Sequence, residues 1–248
     1  MSPTLIKVVN LVCEKYDLFG VFLIGSQNYH LDLENSDFDT VALVLPPIGN
    51  LYYGDPYIIE KTIKYEEGIC KIIDIRDFYK GLIKSNLNYI ELLYSVDYWV
   101  RADNYFYDLL RNNREKICRY NEKGLLNCLL GVLNSCQKMG ALQKTNGNNH
   151  YTSYHILRMC NFIHSFIEGS SVEKCFCSER IFSNEEIKFF KQNGVFLNKT
   201  KEDVEDIINK SLNIAKKYLE LLNKDKDNAI FTDIRETFNG ILDSHFDF

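Results

Sequence analysis

Apolar residues follow two different patterns along the chain, which predict strands in the first part and helices in the second. Residues 21–24 and 37–45 are short and mostly apolar, which predicts two buried strands. Residues 58–65 and 69–75 predict a hairpin around a Glu-Glu-Gly turn. Before the first strand, apolar positions with helical spacing predict a helix that ends at about residue 16.

Between these elements the pattern predicts breaks and helix ends. Gly20 is expected to separate the first helix from the first strand. Residues 48–56 are rich in Gly, Pro and Asn and predict a loop, and residues 99–100 predict an irregular segment. Asp77 and Asn86 are the predicted N-caps of two short helices.

From residue 104 onwards the apolar positions repeat at helical spacing. The predicted helices are 104–118, 121–143, 151–168, 183–193, 201–223 and 232–245. Residues 169–182 fit neither pattern. The predicted fold class is therefore α+β, with a small mixed β-sheet and flanking helices in residues 1–95 and an all-helical domain in residues 96–248.

Composition narrows the class of protein. The chain has 248 residues and a formal net charge of −5, which argues against strong nonspecific DNA binding. Its eight cysteines are scattered and form no disulfide framework, which is typical of a reducing compartment. No apolar run approaches the length of a membrane span, and no signal peptide begins the sequence. We therefore expect a soluble, cytoplasmic protein with no membrane partner.

The segment 25–39 contains the residues that predict a binding site for a cation and a phosphate. Gly25-Ser26 follows the first apolar run, and Asp37 and Asp39 stand at the start of the second. Alternate residues of a strand point to one face, so the two carboxylates are expected side by side, where they need a cation such as Mg²⁺. Gly25 would let the backbone approach a phosphate, and the Ser26 hydroxyl would hold phosphate oxygens. The simpler alternative is that the serine at 36 caps a turn and the aspartates are surface residues.

This order of parts resembles the nucleotidyltransferase superfamily of the DNA polymerase β type. The positions that match its signature are Gly25, Ser26, Leu31, Ser36, Asp37 and Asp39. His30 stands where the family usually has glycine, which often serves a backbone conformation with positive φ. The resemblance implies catalysis with Mg²⁺, through two ions held by Asp37 and Asp39, with Mn²⁺ as an alternative ion.

Sites of this kind need a third carboxylate from a neighbouring strand. Asp74 is the candidate, because it lies within an apolar strand where an acid is costly unless it faces a metal or a partner. It is expected to act as the third metal ligand and as the base for the attacking hydroxyl. The alternative is that Asp74 caps the next helix, although Asp77 suits that role better.

Further along, residues 74–93 and the pair His155 and Arg158 resemble a bacterial and phage branch associated with RNA repair. That branch has a stretch ending in Glu-Leu-Leu, a His-x-x-Arg pattern and basic helical residues, which Lys138 matches. The resemblance implies a catalytic domain in residues 1–95 and a helical domain in 96–248 that closes the nucleotide cleft. The expected nucleotide-binding residues are Gly25, Ser26, Ser36, Lys138, His155 and Arg158. The plain alternative for the last two is a buried histidine and a surface arginine.

The expected activity is transfer of a nucleoside monophosphate from an NTP to an acceptor hydroxyl, with release of pyrophosphate. The family resemblance favours an RNA or tRNA end as acceptor. One alternative is AMPylation-type modification of a protein hydroxyl, as in toxin-like or antitoxin-like members. The other is a non-catalytic module that binds nucleotide or inhibits a partner on the same fold, which the loss of a carboxylate would favour.

Overall fold

The computed structural model describes residues 1–58, 60–101, 105–138, 150–222 and 229–245, without the side chains of 51–52, 136–138, 150–153, 229–230 and 241–245. The chain forms two compact units. Residues 1–28, 36–121 and 226–248 make up the first unit, and residues 29–35 and 122–225 make up the second. The expected boundary at residue 95 does not coincide with this division.

The first unit contains a five-stranded mixed sheet with the strand order β3-β4-β2-β1-β5. Its strands are β1 (Asp17–Leu23), β2 (Thr40–Leu45), β3 (Thr62–Tyr65), β4 (Gly68–Asp74) and β5 (Tyr98–Val100). β2 and β4 are parallel, and the other pairs are antiparallel. The predicted α+β class and the predicted hairpin are confirmed.

Two details of the sheet differ from the predictions. Gly20 lies inside β1 rather than before it, and residues 99–100 belong to a strand that pairs with β1. A Cβ added at Gly20 would lie 2.9 Å from the carbonyl oxygen of Trp99, closer than such contacts allow. The glycine therefore lets β5 approach, which a pattern of local breakers does not reveal.

Six helices accompany these strands along the chain. They are α1 (Pro3–Cys13), α2 (Ile48–Tyr53), α3 (Ile75–Ile83), α4 (Leu87–Ile90), α5 (Tyr105–Asn112) and α6 (Arg114–Tyr120). In α1, the Ser2 hydroxyl caps the N-terminus by accepting from the Leu5 amide at 3.2 Å, and Pro3 occupies the first turn. The helix buries Leu5, Val8 and Val12 in the core that it shares with the sheet.

The segment 48–56 was predicted as a loop, yet it contains α2. Its Gly and Asn content conceals the short helix, which Gly54 follows directly with φ of 69°. This left-handed conformation is common where helices end, because glycine adopts it without a steric cost. Gly54 is thus a helix terminator in a segment whose composition predicts only a loop.

Helix α3 ends in a complete Schellman motif with Ser85 in the left-handed position. The Ser85 amide donates to the Leu82 carbonyl at 2.9 Å, and the Asn86 amide donates to the Gly81 carbonyl at 3.0 Å. Ser85 has φ of 50°, where glycine is usual, and it is fully buried. Asn86 then caps α4 by accepting from the Asn88 amide, which confirms that predicted cap.

The second unit is helical. It contains α7 (Glu122–Lys138), α8 (His150–Ile167), α9 (Val172–Phe176), α10 (Asn184–Asn193) and α11 (Lys201–Leu221). Helix α8 packs against the other four, so it forms the centre of this unit. Its apolar face includes Leu157, Ile163 and Phe166, which are fully buried.

The last helix, α12 (Ala229–His245), belongs to the first unit. Its Phe238 ring stacks on Tyr79 of α3, with 4.7 Å between the ring centroids. Helices α5, α6 and α12 therefore accompany the sheet, although their sequence pattern is the same as that of the second unit. No helix in the described ranges is both long and apolar enough to cross a membrane.

Candidate functional site

The Gly-Ser turn follows β1 directly. The Ile24 amide donates to the Asp39 carbonyl at 2.9 Å, so the strand edge is held up to the turn. Gly25 has φ of 78°, a conformation that is strained for any other residue. A short 3-10 turn over Gln27–Tyr29 follows, and the Asn28 amide donates to the Gly25 carbonyl at 3.1 Å. The sharp turn leaves Ser26 half-buried at its corner.

The two aspartates precede β2, which begins at Thr40. The predicted strand 37–45 placed them within the strand, so that boundary is wrong. The Phe38 amide donates to the Glu67 carbonyl at 2.6 Å, and the Phe38 carbonyl accepts from the Tyr65 hydroxyl. Phe38 packs against the sheet core, while Asp37 is exposed and Asp39 is half-buried. The short segment is therefore held at its central residue by these two hydrogen bonds.

The Asp39 carboxylate lies beside the glycine of the turn. A Cβ built on Gly25 would be 3.8 Å from both Cβ and Oδ2 of Asp39. That separation is an ordinary contact, so the positive φ, rather than lack of space, is the reason for glycine here. The structure thus brings together the glycine of the turn and the second aspartate, which are 14 residues apart in the sequence (39 minus 25).

Burial also fixes the protonation state of the tyrosine that holds this segment. Desolvation raises the pKa of Tyr65 to about 12, while a hydrogen bond with Thr40 acts in the opposite direction. The hydroxyl therefore remains a donor to the Phe38 carbonyl at neutral pH. Ionisation of Tyr65 should therefore disturb the aspartate segment only under strongly alkaline conditions.

Asp74 does not lie with these aspartates, and we correct the expectation that it completes their site. In the parallel pair of β2 and β4, Asp74 is in register with Val44, whereas Asp39 precedes Thr40. Five residues along a strand correspond to about 16 Å. The third carboxylate of the sequence-based site is therefore at the opposite end of the strand pair.

Asp74 has a structural role at that end. Its carboxylate caps α3 by accepting from the Arg76 amide at 2.8 Å, so Asp74, not Asp77, is the N-cap. It also accepts from Nε of Arg76 at 3.0 Å and from Nη2 at 2.6 Å. The hydrogen bond to Asp74 raises the pKa of Arg76. The burial of this acid is thus explained by an adjacent cation and a helix start.

A residue that was not among the predicted site residues supports the Gly-Ser turn. Glu91 is 8% exposed, and its Oε1 accepts from the Gly25 amide at 3.1 Å. Close by, the Ser95 hydroxyl donates to the Leu23 carbonyl at 2.9 Å, and the Val96 amide donates to Oδ1 of Asn28 at 2.9 Å. Residues 91–96 therefore hold the turn at three points. The signal available in the sequence was the position of Glu91 in the Glu-Leu-Leu stretch that resembles the RNA-repair branch.

The remaining predicted site residues divide between the two units. The Ser36 carbonyl accepts from Nε2 of Gln27 at 3.4 Å, which ties it to the turn by its backbone. In the second unit, Arg158 is buried and His155 is half-buried, with its ring 4.1 Å from that of Tyr154. The side chain of Lys138 lies outside the described residues.

His30, which stands where the resembled family usually has glycine, adopts a left-handed backbone conformation. Its φ is 58°, in the left-handed region, and its side chain is exposed. Non-glycine residues pay roughly 1–2 kcal/mol for this conformation. His30 therefore holds, at a cost in strain, a conformation that glycine adopts freely.

The donors at the turn suit a hard cation. Asp37 and Asp39 offer carboxylate oxygens, and Mg²⁺ is commonly bound by one or two carboxylates together with substrate phosphates and water. Within the described part of the chain, no three His, Cys, Asp or Glu side chains are grouped as a complete metal site. Asp37 and Asp39 would suit an ion whose other ligands are substrate phosphates and water.

Comparisons of the chain with protein-family models, curated proteins and solved structures found no match. The function must therefore be argued from the residues and contacts themselves. In the first unit these are the Gly25-Ser26 turn, the two aspartates and the supporting Glu91.

Proposed function

We propose that the protein is a Mg²⁺-dependent nucleotidyltransferase whose reaction centre is the turn at Gly25 and Ser26 with the carboxylates of Asp37 and Asp39. The observation that supports this most is the position of Asp39, whose Oδ2 lies 3.8 Å from where a Gly25 side chain would begin. A phosphate that approaches the open backbone of the glycine would meet this carboxylate, so a bridging cation is required.

Each residue has a defined task in the proposed reaction. Gly25 allows close approach of the triphosphate, and the Ser26 hydroxyl donates a hydrogen bond to a phosphate oxygen. Glu91 keeps the turn in place through the Gly25 amide. The acceptor hydroxyl oxygen forms a bond to the α-phosphorus and gives its proton to a solvent water, and the bond to the leaving pyrophosphate breaks. Positioning and charge stabilisation supply the rate enhancement.

Asp37 and Asp39 would hold the Mg²⁺, or Mn²⁺ in its place, and the bound ion would supply Lewis-acid polarisation of the phosphoryl oxygens. Asp74 is not part of this proposal. The family resemblance favours an RNA or tRNA end as the acceptor, and a protein hydroxyl is the alternative. The net charge of −5 favours neither.

A second candidate function gains support from the position of Asp74. A fold in which the described residues group no third carboxylate with Asp37 and Asp39 as a metal ligand could bind Mg²⁺ and an NTP without catalysis, as a binding or inhibitory module. The register of Asp74 with Val44, at the far end of the strand pair, is the observation that favours it. Formation of a labelled product distinguishes the two candidates.

The test uses each α-³²P-labelled NTP with Mg²⁺, total RNA and a protein extract. We expect label on one class of acceptor with the wild type. In Asp37→Asn and Asp39→Asn the rate should fall on the order of 10³-fold, because charge stabilisation at the phosphates is lost. Asp77→Asn, which alters an exposed aspartate of α3, is the matched control and should retain the rate. Mg²⁺-dependent NTP binding without any labelled product would support the binding module instead.

A further inference from the structure

The second unit contains an arginine that is buried without a full set of hydrogen-bond acceptors. Arg158, on α8, is 5% exposed, and neither its Nε nor its Nη1 has an acceptor among the described residues. Its guanidinium carbon lies 3.6 Å from the ring centroid of Tyr29. Such a stack stabilises the charge but does not satisfy the N–H groups, which point outwards in the guanidinium plane.

A second buried cation faces the same segment of the chain. Lys191, on α10, is 3% exposed, and its Nζ donates to the Leu31 carbonyl at 3.3 Å. The same Nζ lies 5.1 Å from the ring centroid of Tyr154. Tyr154 precedes Arg158 by one helical turn, so both side chains lie on one face of α8. Residues 29–31 thus contact two buried basic side chains, one from each helix.

Within the described residues, the unmet N–H donors of Arg158 favour binding of an anion beside its guanidinium. A buried charge with unmet hydrogen bonds is costly, and arginine elsewhere in this unit avoids the cost: Arg180 is exposed and pairs with Glu168 at 2.9 Å. The planar donors of a guanidinium match the oxygens of a phosphate group, and a nearby ammonium adds attraction. A phosphate would supply the acceptors that the described part of the chain does not provide for Nε and Nη1 of Arg158.

We propose that Arg158 and Lys191 form a phosphate-binding site in the second unit, and that its ligand is the polyphosphate of a nucleoside triphosphate. The family resemblance had suggested Arg158 as a nucleotide contact, whereas Lys191 and the Tyr29 stack come from the structure. The ligand class rests on the proposed function, but the existence of an anion site rests on the burial and contacts of these side chains alone.

The test measures binding of inorganic tripolyphosphate to the full chain by calorimetry in EDTA. Without a metal ion, binding should depend on the basic site and not on the aspartates. We expect Arg158→Gln to weaken binding about tenfold or more, which is about 1.4 kcal/mol. Arg158→Lys should be intermediate because it keeps the charge but loses the planar donors. Lys191→Gln should also weaken binding, whereas Arg180→Gln, which changes an exposed arginine of the same unit, should not.

A thermal measurement separates ligand binding from a purely structural role. At about one hundred times its Kd, tripolyphosphate should raise the Tm of the wild type by about 5–10 °C, and this increase should be absent in a folded Arg158→Gln. Equal binding by Arg158→Gln and the wild type, or no binding by the wild type, would overturn the site. Binding of a short oligoribonucleotide but not of tripolyphosphate would overturn the ligand class.

Failure of this proposal is distinct from failure of the proposed function. Loss of labelled product in the transfer assay, together with tripolyphosphate binding that depends on Arg158, would retain the anion site and reject the enzyme. Transfer that depends on Asp39, together with unchanged tripolyphosphate binding in Arg158→Gln, would retain the enzyme and reject the anion site.

Discussion

The two ends of the parallel strand pair β2 and β4 both carry aspartates, yet their surroundings differ. At the start of β2, Asp39 lies beside the positive-φ Gly25, and Asp37 is exposed. At the end of β4, Asp74 is buried, caps a helix and binds Arg76 through both carboxylate oxygens. An acid in an apolar strand is therefore not by itself a metal ligand. The neighbours that neutralise it determine its role.

The largest expected effect on stability comes from a substitution of Asp74, at the end of strand β4. Asp74→Asn would leave the half-buried Arg76 guanidinium without its counter-charge, which should cost roughly 3 kcal/mol of unfolding free energy. Urea unfolding checks this, with Asp77→Asn as a control near zero because both members of its pair are exposed. The transfer rate per folded molecule should be unchanged. A selective loss of transfer in Asp74→Asn would break the comparison of the two ends.

The next effect concerns the support of the Gly-Ser turn. Glu91→Ala would leave the Gly25 amide without its acceptor, which should cost about 2 kcal/mol of stability and reduce transfer. Glu91→Gln keeps a carbonyl acceptor and should recover most of both. Urea unfolding and the transfer assay are measured for the three proteins. If alanine and glutamine behave alike, the hydrogen bond to Gly25 is not what holds the turn.

The Tyr65 contact should make the aspartate segment sensitive to alkali. Because the folded pKa is raised from 10 to about 12, the stabilisation from Tyr65 is complete below pH 10 and is lost as the pH rises towards 12. Tyr65→Phe removes this titration, so its stability should fall less over that interval, by at most about 2 kcal/mol. Denaturant unfolding at pH 9, 10 and 11 tests it. An identical slope in both proteins would contradict the assignment.

The smallest expected effect on stability is at the C-terminal end of helix α3, whose N-cap is Asp74. Ser85 has φ of 50°, and its buried hydroxyl has no partner in the described structure. Ser85→Gly should therefore stabilise the protein by about 1 kcal/mol, since glycine adopts this conformation without strain. Thermal unfolding should show a Tm higher by about 2–4 °C. A lower Tm would mean that the Schellman turn is not strained.

The sequence predicted features that depend on neighbouring residues. The Asn86 cap and the hairpin are both set within a few positions, so local chemistry indicates them. The sequence pattern could not predict the pairing of β5 with β1, because that pairing depends on the close approach of Gly20 to Trp99. It also missed the bond between Glu91 and Gly25, which joins residues 66 positions apart.

The error over Asp74 has a similar physical origin. Its apolar neighbours indicated correctly that the side chain is buried, but not which charge it meets. That depends on where α3 begins, because a helix start at Ile75 brings Arg76 onto the Asp74 carboxylate. Burial of an acid is thus predictable from a sequence pattern, whereas the identity of its partner needs the fold.

The central claim is that the aspartates beside the Gly-Ser turn, and not Asp74, bind the catalytic cation. The most direct test is Mn²⁺ binding in the presence of a non-hydrolysable NTP, followed by electron paramagnetic resonance. We predict that Asp39→Asn loses bound Mn²⁺ while a folded Asp74→Asn retains it. Loss of bound Mn²⁺ in Asp74→Asn, with retention in Asp39→Asn, would contradict the account.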